Sequence, residues 1–446
     1  MANIAPFRGL RYDCQIAGSM ELLVGPPYDL VRLEDEDRFR SRHECNYIRL
    51  LYCRHPEEEP YLAAARLLGD WQSQGLLVRD PTPAIYLYQI DFQTDALSPV
   101  MTRTGFIALL RLQDYKLGMI RPHERTFSTI KSDRLEWLNH CQASLSQILT
   151  FYDDPRQEVV DTLSNAAAPE PDLDFVDQDG IRHRVWVVTD PQALDQVAWL
   201  METKQIYIAD GHHRYETCLA HRDLMRTGFP QAHPLAAFNY TLIYAAAMQD
   251  PGLAILPAHR LMPGLDAIDF EGFLKKVDQY FEVRDTGLSA AKPDDRLRFR
   301  QQLADLAGKR KAMGFLTPDS PSLKIFLLKQ EILQGLQVHP ALKDLDVVTL
   351  REVLLRRCLE LSPEAMDNDK LFAFDFSLDS ALDRVLAAES PLGLLLNPTQ
   401  VSQVKAVADA GLFMPRKSTI FYPKVSPGLV ICPLSPEELV ADPLYR

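Results

Sequence analysis

The sequence lacks the cysteine patterns that point to a metal site or a disulfide framework. Its seven cysteines stand at positions 14, 45, 53, 141, 218, 358 and 432, and none of them forms a C-x-x-C pair. An odd number at such wide spacing is typical of reduced thiols, and it excludes a cysteine-based structural zinc site. We therefore expect free thiols in a cytoplasmic protein.

Long apolar segments are also absent. The N-terminal residues MANIAPFRGLRYD carry early charges and have no apolar core, so we expect no signal peptide. The most apolar later run, from Pro234 to Met248, is interrupted by polar residues. It is shorter than the roughly 20 residues that span a bilayer, so we expect no membrane segment.

Positive charge is in deficit, with 48 Lys and Arg against 61 Asp and Glu and a formal net charge of −13. This balance argues against a nucleic-acid partner, because phosphate backbones are bound by clustered Lys and Arg.

The sequence also contains no internal repeat, no low-complexity tract and no complete Walker or Rossmann motif. With 46% hydrophobic and 24% charged residues, the composition is that of an ordinary globular protein.

A length of 446 residues is long for one hydrophobic core and suggests two or three domains. Strand-like and helix-like segments both occur along the chain, and some of the strands are spaced as hairpins, which predicts an α/β protein with a mixed (α+β) sheet. The character changes near Gly264, beyond which plain amphipathic helices and a charged, turn-rich stretch follow. We predict an N-terminal α/β domain over residues 1–264 and a C-terminal α/β domain over residues 265–446.

Several local patterns predict individual elements. Apolar residues at helical spacing predict a helix over Tyr61 to Gln74, and β-branched and aromatic residues predict strands at residues 22–24, 46–50, 84–90 and 104–110. The tail segment 417–424 is predicted to pair with residues 428–431 as a hairpin, and its Lys417, Ser418 and Tyr422 to line a cleft. His259 and Arg260 end another strand, where they either reach that cleft or form a capped surface turn.

The strongest chemical signal is the stretch from Gln205 to Leu224, which reads as strand, loop and helix. The loop is Asp210-Gly211-His212-His213-Arg214, and it opens directly onto the predicted helix. A helix N-terminus presents unpaired N–H groups and about half a positive charge, which suits an oxyanion such as phosphate. Two other interpretations remain open: a metal site formed by Asp210 with His212 or His213, and a simple helix cap with incidental histidines.

Two further polar segments are candidates for function. The stretch from Ile120 to Arg134 concentrates His, Glu, Arg and Lys, and it is either a solvated surface or an organised site. The turn Pro26-Pro27-Tyr28-Asp29 presents an acid that is either functional or the N-cap of a following helix.

The Asp210–Arg214 loop matches, letter for letter, the D-G-H-H-R loop of a free-serine kinase family on the sulfiredoxin/ParB-like fold. His212 stands where sulfiredoxin has its cysteine, so sulfinate chemistry is not expected. Over nearly its full length the chain also resembles a bacterial and archaeal family labelled serine-kinase-like. The matching segments are residues 4–10 (IAPFRGL), 26–29 (PPYD), 123–126 (HERT), the loop itself and 414–419 (MPRKST).

The resemblance implies a sulfiredoxin/ParB-like nucleotide-binding core with N-terminal elaborations, and a small-molecule kinase. ATP or ADP would be the donor and free serine or a similar hydroxy compound the acceptor, with Mg²⁺ implied by the chemistry. The phosphates would be bound by Asp210, Gly211, His212, His213, Arg214 and Lys131. Glu124 would be the general base, and the other catalytic candidates are His123, Arg125 and Asp29.

Two alternatives to a kinase stay open. One is a metal-dependent hydrolase in which Asp210, His212 and His213 coordinate a divalent ion, helped by His123 or His259. The other is a non-catalytic module that binds nucleotide without turnover.

Overall fold

The computed structural model describes the chain except residues 28–30, 32, 56, 96–97, 127, 266–268, 369 and 445–446, and except the side chains of residues 33–34 and 128–132. The described chain forms two compact units. The first unit comprises residues 1–122, 126–253 and 423–446, and the second comprises residues 123–125 and 254–422. Each unit is built around its own sheet.

Within its described residues, the first unit contains one large sheet and two separate two-stranded pairings. Its strands are β1 (Ile4–Ala5), β2 (Leu10–Tyr12), β3 (Leu77–Arg79), β4 (Ile85–Phe92), β5 (Met101–Arg111), β6 (Ile120–Arg121), β7 (Ala143–Ser144), β8 (Ile148–Tyr152), β9 (Leu173–Val176), β10 (Arg182–Val188), β11 (Ile206–Asp210), β12 (Tyr240–Ala247) and, near the C-terminus, Cys432–Pro433. The large sheet has the order β6-β11-β8-β12-β5-β4-β10-β9, with β1 paired to β5.

The large sheet is mixed. Strand β11 is parallel to β6 and β12 is parallel to β8, whereas β11 with β8 and β12 with β5 are antiparallel. Every residue of the central strand β12 is buried, as expected for a strand covered on both faces. The predicted α/β class with a mixed sheet is confirmed.

The helices of the first unit are α1 (Cys14–Ala17), α2 (Met20–Leu23), α3 (Leu33–Arg42), α4 (Ile48–Leu51), α5 (Pro60–Ser73), α6 (Ser128–Cys141), α7 (Glu158–Ala166), α8 (Pro191–Glu202) and α9 (His212–Gly228). Val197 and Met201 of α8, together with Tyr215 and Cys218 of α9, join the main core with the sheet residues. Their three- and four-residue spacing is the helical pattern that buries one face. Helix α9 is thereby fixed against the sheet, and its first residues form the candidate loop.

The second unit is built on an antiparallel sheet. Its strands are β13 (Ala254–Leu256), β14 (His259–Leu261), β15 (Phe281–Ser289), β16 (Ala312–Thr317), β17 (Ser320–Leu328), β18 (Ala373–Asp375), β19 (Gly393–Leu395) and β20 (Ile420–Tyr422). The strand Cys432–Pro433 of the first unit is accordingly numbered β21. The main sheet has the order β15-β17-β16-β19-β14-β18, and β13 pairs separately with β20.

The described helices of this unit are α10 (Phe270–Tyr280), α11 (Pro293–Ala304), α12 (Gln330–Gly335), α13 (Pro340–Lys343), α14 (Asp346–Thr349), α15 (Pro363–Met366), α16 (Leu378–Leu386) and α17 (Val401–Asp409). A π-helical segment, Leu350–Cys358, continues α14. Phe299 and Leu303 of α11 and Leu382 and Val385 of α16 pack into one core with the strands.

The compact units differ from the predicted domains in three places. Residues 254–264 group with the second unit, residues 423–446 return to the first, and residues 123–125 also group with the second. The pairing of β13 with β20 accounts for the first difference, because it ties residues 254–256 to residues 420–422. Compact units are defined by contacts between residues and do not test domain boundaries. The predicted domain boundary at residues 264/265 therefore stays a prediction.

Two predicted strands are wrong. Residues 22–24 overlap α2, and residues 46–50 overlap α4, a single helical turn. The Asn46 side chain explains the second case, because its Oδ1 accepts a hydrogen bond from the Ile48 N–H and its Nδ2 donates to the carbonyls of Leu22 and Val24. Such side-chain bonds to the backbone favour a turn over a strand.

The predicted tail hairpin is also wrong. Strand β20 pairs with β13, whereas Ile431 exchanges backbone hydrogen bonds with Leu10. Each partner lies far away in sequence, so local alternation could not distinguish these pairings from a hairpin.

Candidate functional site

The predicted order of strand, loop and helix is present around Asp210. Strand β11 ends at Asp210, α9 begins at His212, and Gly211 occupies the N-cap position with φ 94° and ψ 30°. This left-handed conformation favours glycine. A Cβ atom at Gly211 would lie 2.9 Å from Nε of Arg214. Glycine is therefore required both by the backbone conformation and by the close approach of Arg214.

Asp210 is held between two cations. Its Oδ1 accepts from Nζ of Lys424, and its Oδ2 accepts from Nη2 of Arg214 at 2.6 Å. Burial by itself would raise the pKa of Asp210, but Lys424 and Arg214 outweigh it and hold the pKa well below the usual range. The carboxylate is ionised, and these three side chains together carry a net charge of +1.

Arg214 ties the loop to the neighbouring strand. Its Nη1 donates to the backbone carbonyl of Gln147, directly before β8, while Nη2 binds Asp210. The Gln147 side chain is 1% exposed, and neither of its amide atoms has a hydrogen-bond partner within the described part of the chain. A buried amide of this kind calls for a partner such as a ligand or water.

A cavity of about 60 Å³ adjoins α9 within the first unit. Arg214, Thr217 and Cys218 line it from α9, and Arg134 and Trp137 line it from α6. Its volume corresponds to about four water molecules. Burial raises the pKa of the Cys218 thiol to about 11, so this cysteine is protonated at neutral pH and is a poor nucleophile.

The histidines of the loop differ in exposure. His212 is buried, whereas His213 is half-buried. His212 acts on Asp210 in the direction that lowers its pKa. The two adjacent histidines therefore have different environments.

His123, Glu124 and Arg125 belong to the second unit. His123 is 1% exposed, its Nε2 lies 3.1 Å from Oγ1 of Thr419, and its carbonyl accepts from the Met414 N–H. The HERT and MPRKST segments are thus in direct contact. Arg125 is exposed, with its guanidinium 5.6 Å from the centre of the Phe413 ring, and Glu124 is half-buried.

Other predicted site residues are placed as follows. Thr126 belongs to the first unit, where its hydroxyl donates to Glu216 of α9 at 2.7 Å. Asp29 lies outside the described residues, and so does the side chain of Lys131. The structure therefore brings Asp210, Gly211 and Arg214 together within the first unit.

Sequence reasoning missed Lys424 and Gln147 as neighbours of the loop. Lys424 lies 214 positions from Asp210, in a segment predicted only as a hairpin strand. Gln147 lies directly before β8 and had no predicted role in the site. No local pattern marks either residue, because both reach the loop through tertiary contacts.

The loop does not fit a magnesium ion held by protein ligands. Both carboxylate oxygens of Asp210 are engaged by cations, which disfavours a second positive charge beside them. Over the described residues, no group of three or more His, Cys, Asp or Glu side chains has a geometry that could hold a metal. The hydrolase alternative therefore has no ligand cluster in that part of the chain.

Comparison with known families identifies the chain. Residues 4–348 match the family described as "Protein of unknown function (DUF1015)". The chain is a member of this family, which confirms the predicted membership in a largely uncharacterised family. No curated protein matches it.

Solved structures show remote likeness. A free serine kinase in complex with AMP shares 11% identity at a TM-score of 0.33, covering 72% of this chain and 91% of the other. SbnI from Staphylococcus aureus, with a C-terminal truncation, shares 9% identity at a TM-score of 0.34, covering 74% and 87%. A conserved hypothetical protein from Pyrococcus furiosus shares 12% identity at a TM-score of 0.28, covering 73% of this chain and 93% of the other.

Among the helices of the described residues, none has the length and apolar character needed to cross a membrane.

Proposed function

We propose that the protein is a small-molecule kinase whose Asp210–Arg214 loop binds the phosphates of ATP or ADP. The acceptor is the hydroxyl group of free serine or of a similar compound. The observation that carries this proposal is the structure of the N-terminus of α9. Gly211 occupies the N-cap position there, and the cations Arg214 and Lys424 both bind the preceding residue, Asp210. The letter-for-letter resemblance of the loop to that of the free-serine kinases supports the same function.

Electrostatics favour an anion at this position. The N–H groups and the dipole of α9 attract negative charge. Asp210 does not cancel this effect, because Lys424 and Arg214 together outweigh its charge. The buried amide of Gln147 offers a further donor next to the loop.

The chemical step in this proposal needs a base. The acceptor oxygen forms a bond to the terminal phosphorus of the nucleotide, and the bond from that phosphorus to its bridging oxygen breaks. ATP then leaves as ADP, or ADP leaves as AMP. Glu124 takes the hydroxyl proton in this scheme, since a half-buried carboxylate can accept a proton from a bound alcohol. Arg125 and His123 flank this base in the sequence.

A phosphotransfer assay with a matched pair of variants tests the proposal. ATP and ADP are offered with serine, and phosphoserine is followed by ³¹P NMR. We expect Glu124→Gln to lower turnover by roughly 10²–10⁴-fold with little change in nucleotide affinity, because the amide keeps the shape but is not basic. Glu271→Gln is the control, since Glu271 is exposed on α10 and pairs only with Lys275 among the described residues.

Two outcomes would contradict the assignment. Near-normal turnover by Glu124→Gln would remove Glu124 as the base and make Asp29 the next candidate. Tight nucleotide binding without transfer to serine or to any other hydroxy compound would favour the non-catalytic module.

A further inference from the structure

A second cavity lies wholly within the second unit and has a cationic lining. Its volume is about 40 Å³, and four positively charged side chains line it: Arg260, Arg351, Arg416 and Lys417. The described lining residues include one carboxylate, Asp367. Four positive charges and one negative charge give a net +3. This local excess stands out in a chain whose formal net charge is −13.

Arg260 is the most informative of these residues. It is 6% exposed, and its guanidinium lies over the ring of Phe374 at 4.5 Å. Its N–H groups donate to the backbone carbonyls of Ala258, Arg416 and Lys417. No carboxylate forms an ion pair with Arg260 within the part of the chain that the structure describes.

A buried cation without a counter-ion is costly. Burial lowers the pKa of Arg260 to about 9, so the group remains charged at neutral pH. The carbonyl oxygens satisfy part of its hydrogen-bonding capacity but supply no full negative charge. An anion in the cavity would supply that charge.

Asp367, the one carboxylate among the described lining residues, does not neutralise Arg260. Its Oδ1 is already engaged by Arg351 at 2.9 Å. Lys417 is exposed, and its backbone has φ 55°, a left-handed conformation that is uncommon outside glycine. Backbone strain of this kind persists where the surroundings enforce it, often at binding sites.

We propose that this cavity of the second unit binds the phosphate group of a small molecule. Its volume is that of about three water molecules, which suits a single oxyanion group. Guanidinium groups present paired N–H donors that match phosphate geometry, which favours phosphate over a halide ion. The apolar part of the lining, which includes Leu350, Leu355 and Met366, would contact the remainder of such a ligand.

Isothermal titration of the full chain with inorganic phosphate, at constant ionic strength set with chloride, tests this site. Arg351→Gln is compared with Arg356→Gln. Both arginines lie on the π-helical segment, and each forms an ion pair with one acid, Asp367 or Glu352. Only Arg351 lines the cavity. Phosphate bound at the Asp210–Arg214 loop would respond equally in both variants, so their difference isolates this cavity.

We expect Arg351→Gln to weaken phosphate binding roughly tenfold or more relative to Arg356→Gln, because it removes a charge-assisted contact. Arg416→Gln should show the same loss. Acetate as a competing ligand should bind less tightly than phosphate. Equal phosphate affinity in Arg351→Gln and Arg356→Gln would overturn the proposal, and so would tighter binding of acetate than of phosphate.

Discussion

Asp210 keeps its negative charge because Lys424 and Arg214 bind its two oxygens separately. A carboxylate whose pKa is lowered on folding stabilises the folded state above its unfolded pKa of about 3.9. That contribution is lost as the pH falls below this value. At neutral pH the ion pairs are therefore fully formed, and they fix the position of Arg214 over Gly211.

His259 should make the second unit sensitive to mild acid. Its Nδ1 accepts a hydrogen bond from the Leu396 N–H at 3.1 Å, so protonation of this nitrogen would break the bond. Burial lowers the pKa of His259 from 6.5 to about 4; Arg260 and Arg300 act in the same direction, and Asp375 opposes them. The unfolded chain therefore binds the proton first as the pH falls.

Stability should accordingly decrease between about pH 6.5 and pH 4, by up to about 3 kcal/mol from this residue. Denaturant unfolding at pH 7, 6, 5 and 4 measures the loss. His259→Asn keeps an acceptor for the Leu396 N–H but does not titrate, so its stability should decrease less over the same range. An identical pH dependence in the variant and the wild type would show that His259 does not titrate in this way.

The sequence predicted part of this residue-level picture. The D-G-H-H-R loop could be located because its signals are local: a strand, a glycine and a helix follow one another within twenty residues. Lys424 and Gln147 could not be linked to it, since nothing near either residue indicates a tertiary contact with residues 210–214. The burial of Arg260 could not be predicted either, because burial of an arginine depends on the whole fold.

The junction between β11 and α9 depends on Gly211. Replacing it with alanine forces a side chain into the left-handed conformation and against the guanidinium of Arg214. We expect Gly211→Ala to lower the free energy of unfolding by about 1–3 kcal/mol and to weaken ADP binding, because Arg214 must move away from Asp210.

Gly228→Ala is the matched control at the other end of the same helix. A Cβ atom there meets nothing within 4 Å among the described atoms, and the backbone conformation accepts alanine. Its stability should change little or increase by up to about 1 kcal/mol. Chemical denaturation and ADP titration of both variants make the comparison. If Gly211→Ala behaved like Gly228→Ala, the close contact with Arg214 would not matter to the loop.

Elements were predictable where their pattern was long. The predicted helix over residues 61–74 corresponds to α5, and the strands at 84–90 and 104–110 correspond to β4 and β5. Short elements failed, because four residues such as those of α2 carry too little periodicity to outweigh side-chain hydrogen bonds from elsewhere. The tail pairing failed because its partners are set by long-range contacts.

The first unit contains both ends of the chain. Residues 423–446 contribute Leu429, Val430, Ile431 and Leu434, each at most 1% exposed, as well as Lys424. Burying four aliphatic side chains stabilises a fold by about 6–12 kcal/mol at about 1.5–3 kcal/mol each. This is comparable to the whole stability of a typical domain, about 5–15 kcal/mol.

A chain ending at Tyr422 should therefore lose the folded first unit. We expect hydrogen exchange of the β12 amides to lose protection in this truncated chain, while a chain ending at Asp442 keeps it. Retained protection of β12 after removal of residues 423–446 would show that the first unit folds without its C-terminal segment.

Binding of ADP and adenosine, measured by calorimetry, tests most directly whether the loop of the first unit recognises nucleotide phosphates. ADP should bind at least tenfold more tightly than adenosine, because the phosphates contact α9 and its cations. Arg214→Ala should weaken ADP binding roughly ten- to hundredfold without affecting adenosine. Arg226→Ala, which removes an exposed arginine near the other end of α9, should bind ADP as the wild type does. Equal affinities for ADP and adenosine, or equal ADP affinities in Arg214→Ala and Arg226→Ala, would contradict the assignment of this loop.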